Sequence, residues 1–162
     1  QCPAGAISFV EREAAEYDES AVKENKARIA AAEAEARESR LGNWPVQLKL
    51  LPPVSPVFRG ADILIAADCT AYAFAGFHER FIAGHTVIIA CPKLDATDYS
   101  EKLQQIFMLN NIKSIVVTRM QVPCCGGLVR MVQAAMERSG KAIPCEVYTI
   151  SNSGQILNKE TI

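Results

Sequence analysis

The sequence predicts an α/β protein, a three-layer sandwich built on a mainly parallel sheet of four to five strands and preceded by a helical arm. Three observations predict it. Short continuous apolar runs at 62–68, 86–91 and 114–120 read as strands buried on both faces. Other segments place apolar residues at helical spacing, as Tyr99, Leu103, Ile106 and Phe107 do. The two patterns alternate along the chain, which is how a parallel sheet with helices on both faces is written, in a flavodoxin-like or Rossmann-like manner.

The elements follow in order. Residues 1–19 hold Cys2-Pro3-Ala4-Gly5-Ala6-Ile7 and a short β-like run at 7–10. The chain opens on Gln1 rather than Met, which reads as the middle of something longer. Residues 20–40 are rich in Ala, Glu, Lys and Arg, all strong helix formers, and Gly42 follows as a stop. With Val22, Ile29 and Leu41 as a thin apolar stripe, this reads as a solvated connecting helix; a role in binding a partner or a second copy stays open. The stretch 44–56 carries four prolines and should be extended, with Trp44 and Leu48 laying it across the globular part. A strand at 62–68 then leads to a short helix near 77–83. A strand at 86–91 precedes a helix at 98–109. The strand at 114–120 gives way to a loop at 122–126 and a helix at 127–139, closed by Gly140. A strand at 146–150, a Ser-Asn-Ser-Gly turn and a brief strand at 155–157 complete the chain. The expected division is 1–19 as the tail of a preceding domain, 20–57 as connecting helix and arm, and 58–162 as the cysteine-bearing α/β domain.

Composition narrows the function. A net charge of −1 favours neither nucleic acid nor an anionic membrane surface as partner. The apolar runs are too short to span a bilayer, and no secretory leader is visible. Six cysteines without an export signal imply a reducing, cytoplasmic setting rather than a disulfide framework.

Four of those cysteines fall where strands run out: Cys69, Cys91 and the adjacent Cys124 and Cys125. Parallel strands share one carboxyl edge, and ligands of open parallel sheets bind in the crevice beyond it. Four thiolates there match an iron–sulfur cluster, with zinc as the alternative and a thiol–disulfide switch as a third reading. Gly126 and Gly127 leave backbone room beside the pair, and their amides at a helix start are candidate donors to a cofactor. His78, Lys93, Asp68 and Asp95 flank the crevice, and His78 is a candidate fifth ligand. Cys145 begins its strand at the opposite edge and His85 precedes one there; both read as structural. No Ser-His-Asp set, Gly-x-x-x-x-Gly-Lys or Gly-x-Gly-x-x-Gly occurs, so hydrolase and nucleotide-dependent readings lack a warrant.

A resemblance sharpens the metal reading. The blocks Ala67-Asp68-Cys69, Phe77-His78, Cys91-Pro92-Lys93-Leu94-Asp95 and Val122-Pro123-Cys124-Cys125-Gly126-Gly127 resemble a family of bacterial and archaeal ferredoxin-domain iron–sulfur proteins. Cys2-Pro3 is similar to the end of a bacterial ferredoxin cluster motif, whose three earlier cysteines are absent. A tandem pair with two distant cysteines also resembles the cluster site in the small subunits of respiratory complex I and nickel–iron hydrogenases, although there the pair comes first. The resemblance implies a four-iron, four-sulfide cluster, electron transfer, and a redox partner protein or ferredoxin module.

Overall fold

A computed structural model of the chain describes residues 18–35 and 38–162. Cys2 and the run at 7–10 lie outside the described residues. The chain falls into two compact units that divide between Glu38 and Ser39. In the first, helix α1 (Glu19–Glu35) begins at Asp18, whose Oδ1 accepts the backbone N–H groups of Ser20 and Ala21 at 2.9 and 3.0 Å. That side chain satisfies amides that the first turn leaves orphaned.

The second unit is built on one five-stranded sheet. Its strands are β1 (Asp62–Ala67), β2 (Thr86–Ala90), β3 (Ser114–Met120), β4 (Cys145–Ile150) and β5 (Ile156–Thr161). They lie in the order β2-β1-β3-β4-β5, with the first four parallel and β5 antiparallel. Every residue from Ile63 to Ala67 is buried, as a central strand covered on both faces requires. Helices α2 (Thr70–Ala73), α3 (Pro92–Asp95), α4 (Ser100–Leu109) and α5 (Gly126–Ser139) connect the strands, with a single π-helical turn at His78–Ile82. Buried Leu128, Val132 and Ala135 of α5 recur at helical spacing, and α4, which packs on α5, buries Leu103, Ile106 and Phe107. The layered α/β architecture expected from the sequence is the one observed.

Chain direction reverses once. From β1 the chain steps outward to β2, then crosses back over β1 to β3 and β4. Right-handed crossovers put the connection after β1 on one face of the sheet and those after β2 and β3 on the other. The gap between the ends of β1 and β3 is therefore the switch point of the fold.

The proline-rich arm packs on the outer edge of β2. Ile89 N–H donates to Val46 O at 2.8 Å and Leu48 N–H to Ile89 O at 3.0 Å, so the arm shields an edge that would otherwise be open. Leu48 is buried as expected, but Trp44 is 80% exposed and anchors nothing. Asn43 does the anchoring. Its Oδ1 accepts the Val87 N–H at 2.7 Å and its Nδ2 donates to the Val87 carbonyl at 3.0 Å. Asn43→Ala is expected to cost about 1–2 kcal/mol and to speed hydrogen exchange at the Val87 amide, leaving exchange in β3 unchanged.

Strand β5 runs three residues past its polar Asn158. Its backbone pairs with β4, and Lys159 Nζ lies 2.8 Å from Glu146 Oε1 and over the Tyr148 ring. Polar residues that read as loop are here the exposed side chains of an edge strand.

Candidate functional site at the switch point

Three loops leave the carboxyl edge at the switch point, and each is fixed by its own residues. After β1, the Thr70 hydroxyl donates to Ala67 O at 2.7 Å and meets the Thr118 hydroxyl at 3.1 Å. Both threonines are buried, so this contact clamps the end of β1 to β3. After β2, the Asp95 carboxylate gathers the loop. Its Oδ2 accepts the Cys91 N–H at 3.0 Å and the Tyr99 hydroxyl at 2.9 Å. After β3, a 3-10 turn (Pro123–Cys125) passes directly into α5, with Cys125 N–H bonded to Val122 O at 3.2 Å.

The thiols sit on these loops. Cys69 and Cys124 are exposed, Cys91 is half-buried and Cys125 is buried. Burial pushes the Cys125 thiol up from its ordinary value. The Met120 backbone opposes that rise, and Cys124, through charge and a hydrogen bond, and Cys69, through charge, add to it. Cys69, Cys124 and Cys125 thus share one electrostatic neighbourhood at the ends of β1 and β3. Cys91 lies one residue beyond β2 on the flank, and the two loops touch: a Cβ on Gly127 would stand 3.3 Å from the Pro92 Cβ. Among the described residues, no three His, Cys, Asp or Glu side chains stand close enough together to share a single metal ion.

Acidic groups line the same edge. Asp68 Oδ1 is buried with no hydrogen-bond partner among the described residues. Burial, and then the charge of Asp95, hold the Asp68 carboxyl above the usual carboxylate range. Tyr99 is pushed up to about 12, by burial first and by Asp95 next. Two cations complete the surroundings: the Nη1 atoms of Arg130 and Arg119 lie 3.4 and 3.9 Å from where a Gly126 Cβ would stand.

His78 and Cys145 are placed elsewhere. The His78 ring, expected at the crevice mouth, accepts the Arg40 backbone N–H at Nδ1, 3.2 Å away. Arg40 in turn lines an open cavity of about 320 Å³ with Asp62, His85 and Thr86, at the beginnings of the strands. His78 follows Cys69 closely in sequence, but the turn that carries it leads back toward β2's start. Gly126 and Gly127 stand at the α5 start as expected. Cys145 opens β4 at the opposite edge and is fully buried. Tyr99, Arg119 and Arg130 were not among the expected site residues. The four-residue spacing of Asp95 and Tyr99 was the one legible signal for the first; nothing local links the arginines, one on β3 and one on α5.

Burial, and secondarily Glu146, raise the Cys145 thiol from 9.0 to about 12. The folded state therefore holds this proton more tightly than the unfolded chain does. Its stabilising contribution is complete below pH 9 and declines as the pH rises toward about 12. Cys145→Ala should remove that part of the alkaline loss of stability. At neutral pH, iodoacetamide should label Cys69 and Cys124 in the native protein and spare Cys145.

Comparison with known proteins identifies the domain. The family model of a Rossmann-like domain matches residues 55–162. A protein of Archaeoglobus fulgidus described as uncharacterized is 38% identical over 114 residues, which cover 70% of this chain and 80% of that protein. No solved structure matches. These findings overturn the resemblance to ferredoxin-domain iron–sulfur proteins, since neither match is to a ferredoxin or iron–sulfur family. That resemblance rested on four short blocks scattered between Ala67 and Gly127, whereas the family match runs continuously over 55–162. Among the described residues no helix is long and apolar enough to cross a membrane.

Proposed function

The chain belongs to the Rossmann-like domain family, and from that premise we propose that it acts at the switch-point crevice, where Cys69, Cys91, Cys124 and Cys125 hold an iron–sulfur cluster of the four-iron type in an electron-transfer role. The observation that carries this reading is the common neighbourhood of the Cys69, Cys124 and Cys125 thiols at the ends of β1 and β3. Thiols crowded in this way resist ionising together, and a soft cation relieves that resistance by binding the thiolates.

Two features count against thiol–disulfide exchange. A thiol that burial holds protonated, as at Cys125, is a poor nucleophile at neutral pH. Adjacent residues are also about 3.8 Å apart at Cα, short of the roughly 4.4–6.8 Å of a relaxed disulfide, which disfavours a bridge between Cys124 and Cys125 themselves. Zinc is disfavoured on different grounds. A single zinc ion needs its sulfurs closed to about 2.3 Å around one atom, while a polynuclear cluster presents ligand positions spread over a wider body.

The cluster would supply reversible one-electron chemistry, with its potential set by burial and by hydrogen bonds to its sulfurs. The chain's own residues do the holding. Asp95 fixes the Cys91 loop, the Thr70–Thr118 pair fixes the Cys69 loop, and Gly127 lets the start of α5 close against Pro92. A thiolate centre of this kind suits a reducing compartment. Anaerobic reconstitution with ferrous iron and sulfide is the test. The expected product is brown, with iron and acid-labile sulfide in equal amounts. A colourless protein that retains zinc after the same treatment would contradict the proposal.

A further inference from the structure

The cavity at the amino edge of the sheet lies where the loops that enter β1, β2 and β3 meet. It holds about 320 Å³, near the lower end of small-ligand pockets, and Gly42, Gly60 and Gly84 give it stretches of wall without side chains. The segments around it are pinned in place. His78 Nδ1 accepts the Arg40 N–H at 3.2 Å, the Thr86 hydroxyl donates to Val57 O at 2.7 Å, and the Lys113 N–H donates to Ala61 O at 2.9 Å. Arg40 and Lys113, remote in sequence, thereby share one lining.

Both signs of charge are present. The cavity is lined by Arg40 and Lys113, by half-buried His85 and, among the described residues, by a single carboxylate, Asp62. Neither the Arg40 guanidinium nor the Lys113 ammonium has a carboxylate partner among the described residues. Asp62 Oδ1 accepts the Ser114 hydroxyl at 2.6 Å, while its Oδ2 has no partner among them. His85 gives its Nδ1–H to Ala83 O at 3.1 Å, which leaves Nε2 free for a ligand. Two fixed cations therefore outweigh one anion, and a bound anion would favour a proton on Nε2 as a third positive charge. Arginine offers a planar fork and lysine a point charge, and phosphate oxygens accept from both. Asp62 adds the opposite polarity, an open acceptor that suits a hydroxyl and repels a second anion.

We propose that this cavity binds a small molecule carrying a phosphate monoester and a hydroxyl group. Arg40, Lys113 and His85 hold the phosphate, and Asp62 accepts the hydroxyl. Ligands of open parallel sheets ordinarily sit at the carboxyl edge, where the thiols are. A site at the amino edge is separate from that crevice, so the proposal stands whether or not the thiols hold a cluster.

Calorimetric titration of the full chain with glycerol phosphate, ethyl phosphate and glycerol tests it. Glycerol phosphate should bind most tightly, ethyl phosphate more weakly and glycerol not at all. Arg40→Gln and Lys113→Gln replace exposed side chains, so melting temperatures should hold while affinity for both phosphates falls about tenfold or more. Asp62→Asn keeps an acceptor for Ser114 but should erase the preference for glycerol phosphate over ethyl phosphate. Lys93→Gln, at the other edge, should bind as wild type does. No binding of glycerol phosphate at millimolar concentration, unchanged affinity in both Arg40→Gln and Lys113→Gln, or an equal loss in Lys93→Gln would overturn the proposal. So would equal affinity for glycerol, or a preference that survives Asp62→Asn. Tighter binding of single-stranded DNA than of glycerol phosphate would also overturn it, by making the cavity part of a polyanion surface.

Discussion

Cys124→Ser is expected to reduce retained iron about tenfold or more while leaving the melting temperature within a few degrees of wild type. The side chain is exposed, so its loss opens no cavity in the core, and any effect on metal reports ligation rather than folding. Cys69→Ser should behave the same way for the same reason. Cys125→Ser should lose as much iron but also some stability, because that side chain is buried and a hydroxyl there needs a partner. Cys145→Ser is the decisive comparison. It lies at the other edge of the sheet, so iron content should not change. Iron retention measured by colorimetric assay after anaerobic desalting reads all four variants, and an equal loss at Cys145 would remove the geometric basis of the assignment.

The largest effect on stability is expected at Gly154, in the turn between β4 and β5. Its φ is +80°, a left-handed conformation that a side chain disfavours by roughly 1–2 kcal/mol. A Cβ there would also overlap the carbonyl oxygen of Ala73, a backbone atom that cannot rotate away. Gly154→Ala should therefore cost about 3 kcal/mol or more and lower the melting temperature by on the order of 10 °C. The displaced carbonyl belongs to α2, which begins at the residue after Cys69, so iron retention should fall with stability. Gly42→Ala is the matched control. A Cβ at Gly42 meets nothing within 4 Å, and its φ is not left-handed, so urea midpoints should agree with wild type. A Gly154→Ala protein that melts with wild type would contradict the packing described for this turn.

Much of the scaffold was legible because its signals are local. Strand β3 runs over the residues its apolar run implied, and β1 and β2 each end one residue early, at Ala67 and Ala90. The parallel arrangement followed from those runs being buried on both faces, and with it the shared edge for Cys69, Cys91, Cys124 and Cys125. Other features depended on contacts that are remote in sequence. His78 stands nine residues after Cys69, yet its ring partner is Arg40, 38 residues earlier, which no local spacing encodes. The convergence of Arg119 with Arg130 needs the turn from β3 into α5 to fold back on itself. Trp44 looked like an anchor because tryptophan is large and apolar, but Asn43 holds the arm through two backbone bonds to Val87. The burial difference between adjacent Cys124 and Cys125 also has no sequence signature; it arises because α5 begins at the next residue and turns one side chain inward.

The family assignment shows the same limit. Short blocks around cysteines can recur in proteins of different descent, because soft-metal chemistry keeps asking for cysteine, proline and glycine together. The extended match over 55–162 draws on the whole alternation of strands and helices, and that is what places the chain among Rossmann-like domains.

The most direct measurement is iron K-edge X-ray absorption on the anaerobically reconstituted full chain, paired with the Cys91→Ser variant. Cys91 is the sulfur whose participation depends most on the loops closing, since it follows the outer strand β2 while the other three follow β1 and β3, on either side of the switch point. The account predicts a shell of sulfur neighbours around iron with iron–iron scattering beyond it, both reduced in the variant. Iron surrounded by oxygen and nitrogen with no second iron, or a spectrum indifferent to Cys91, would contradict it.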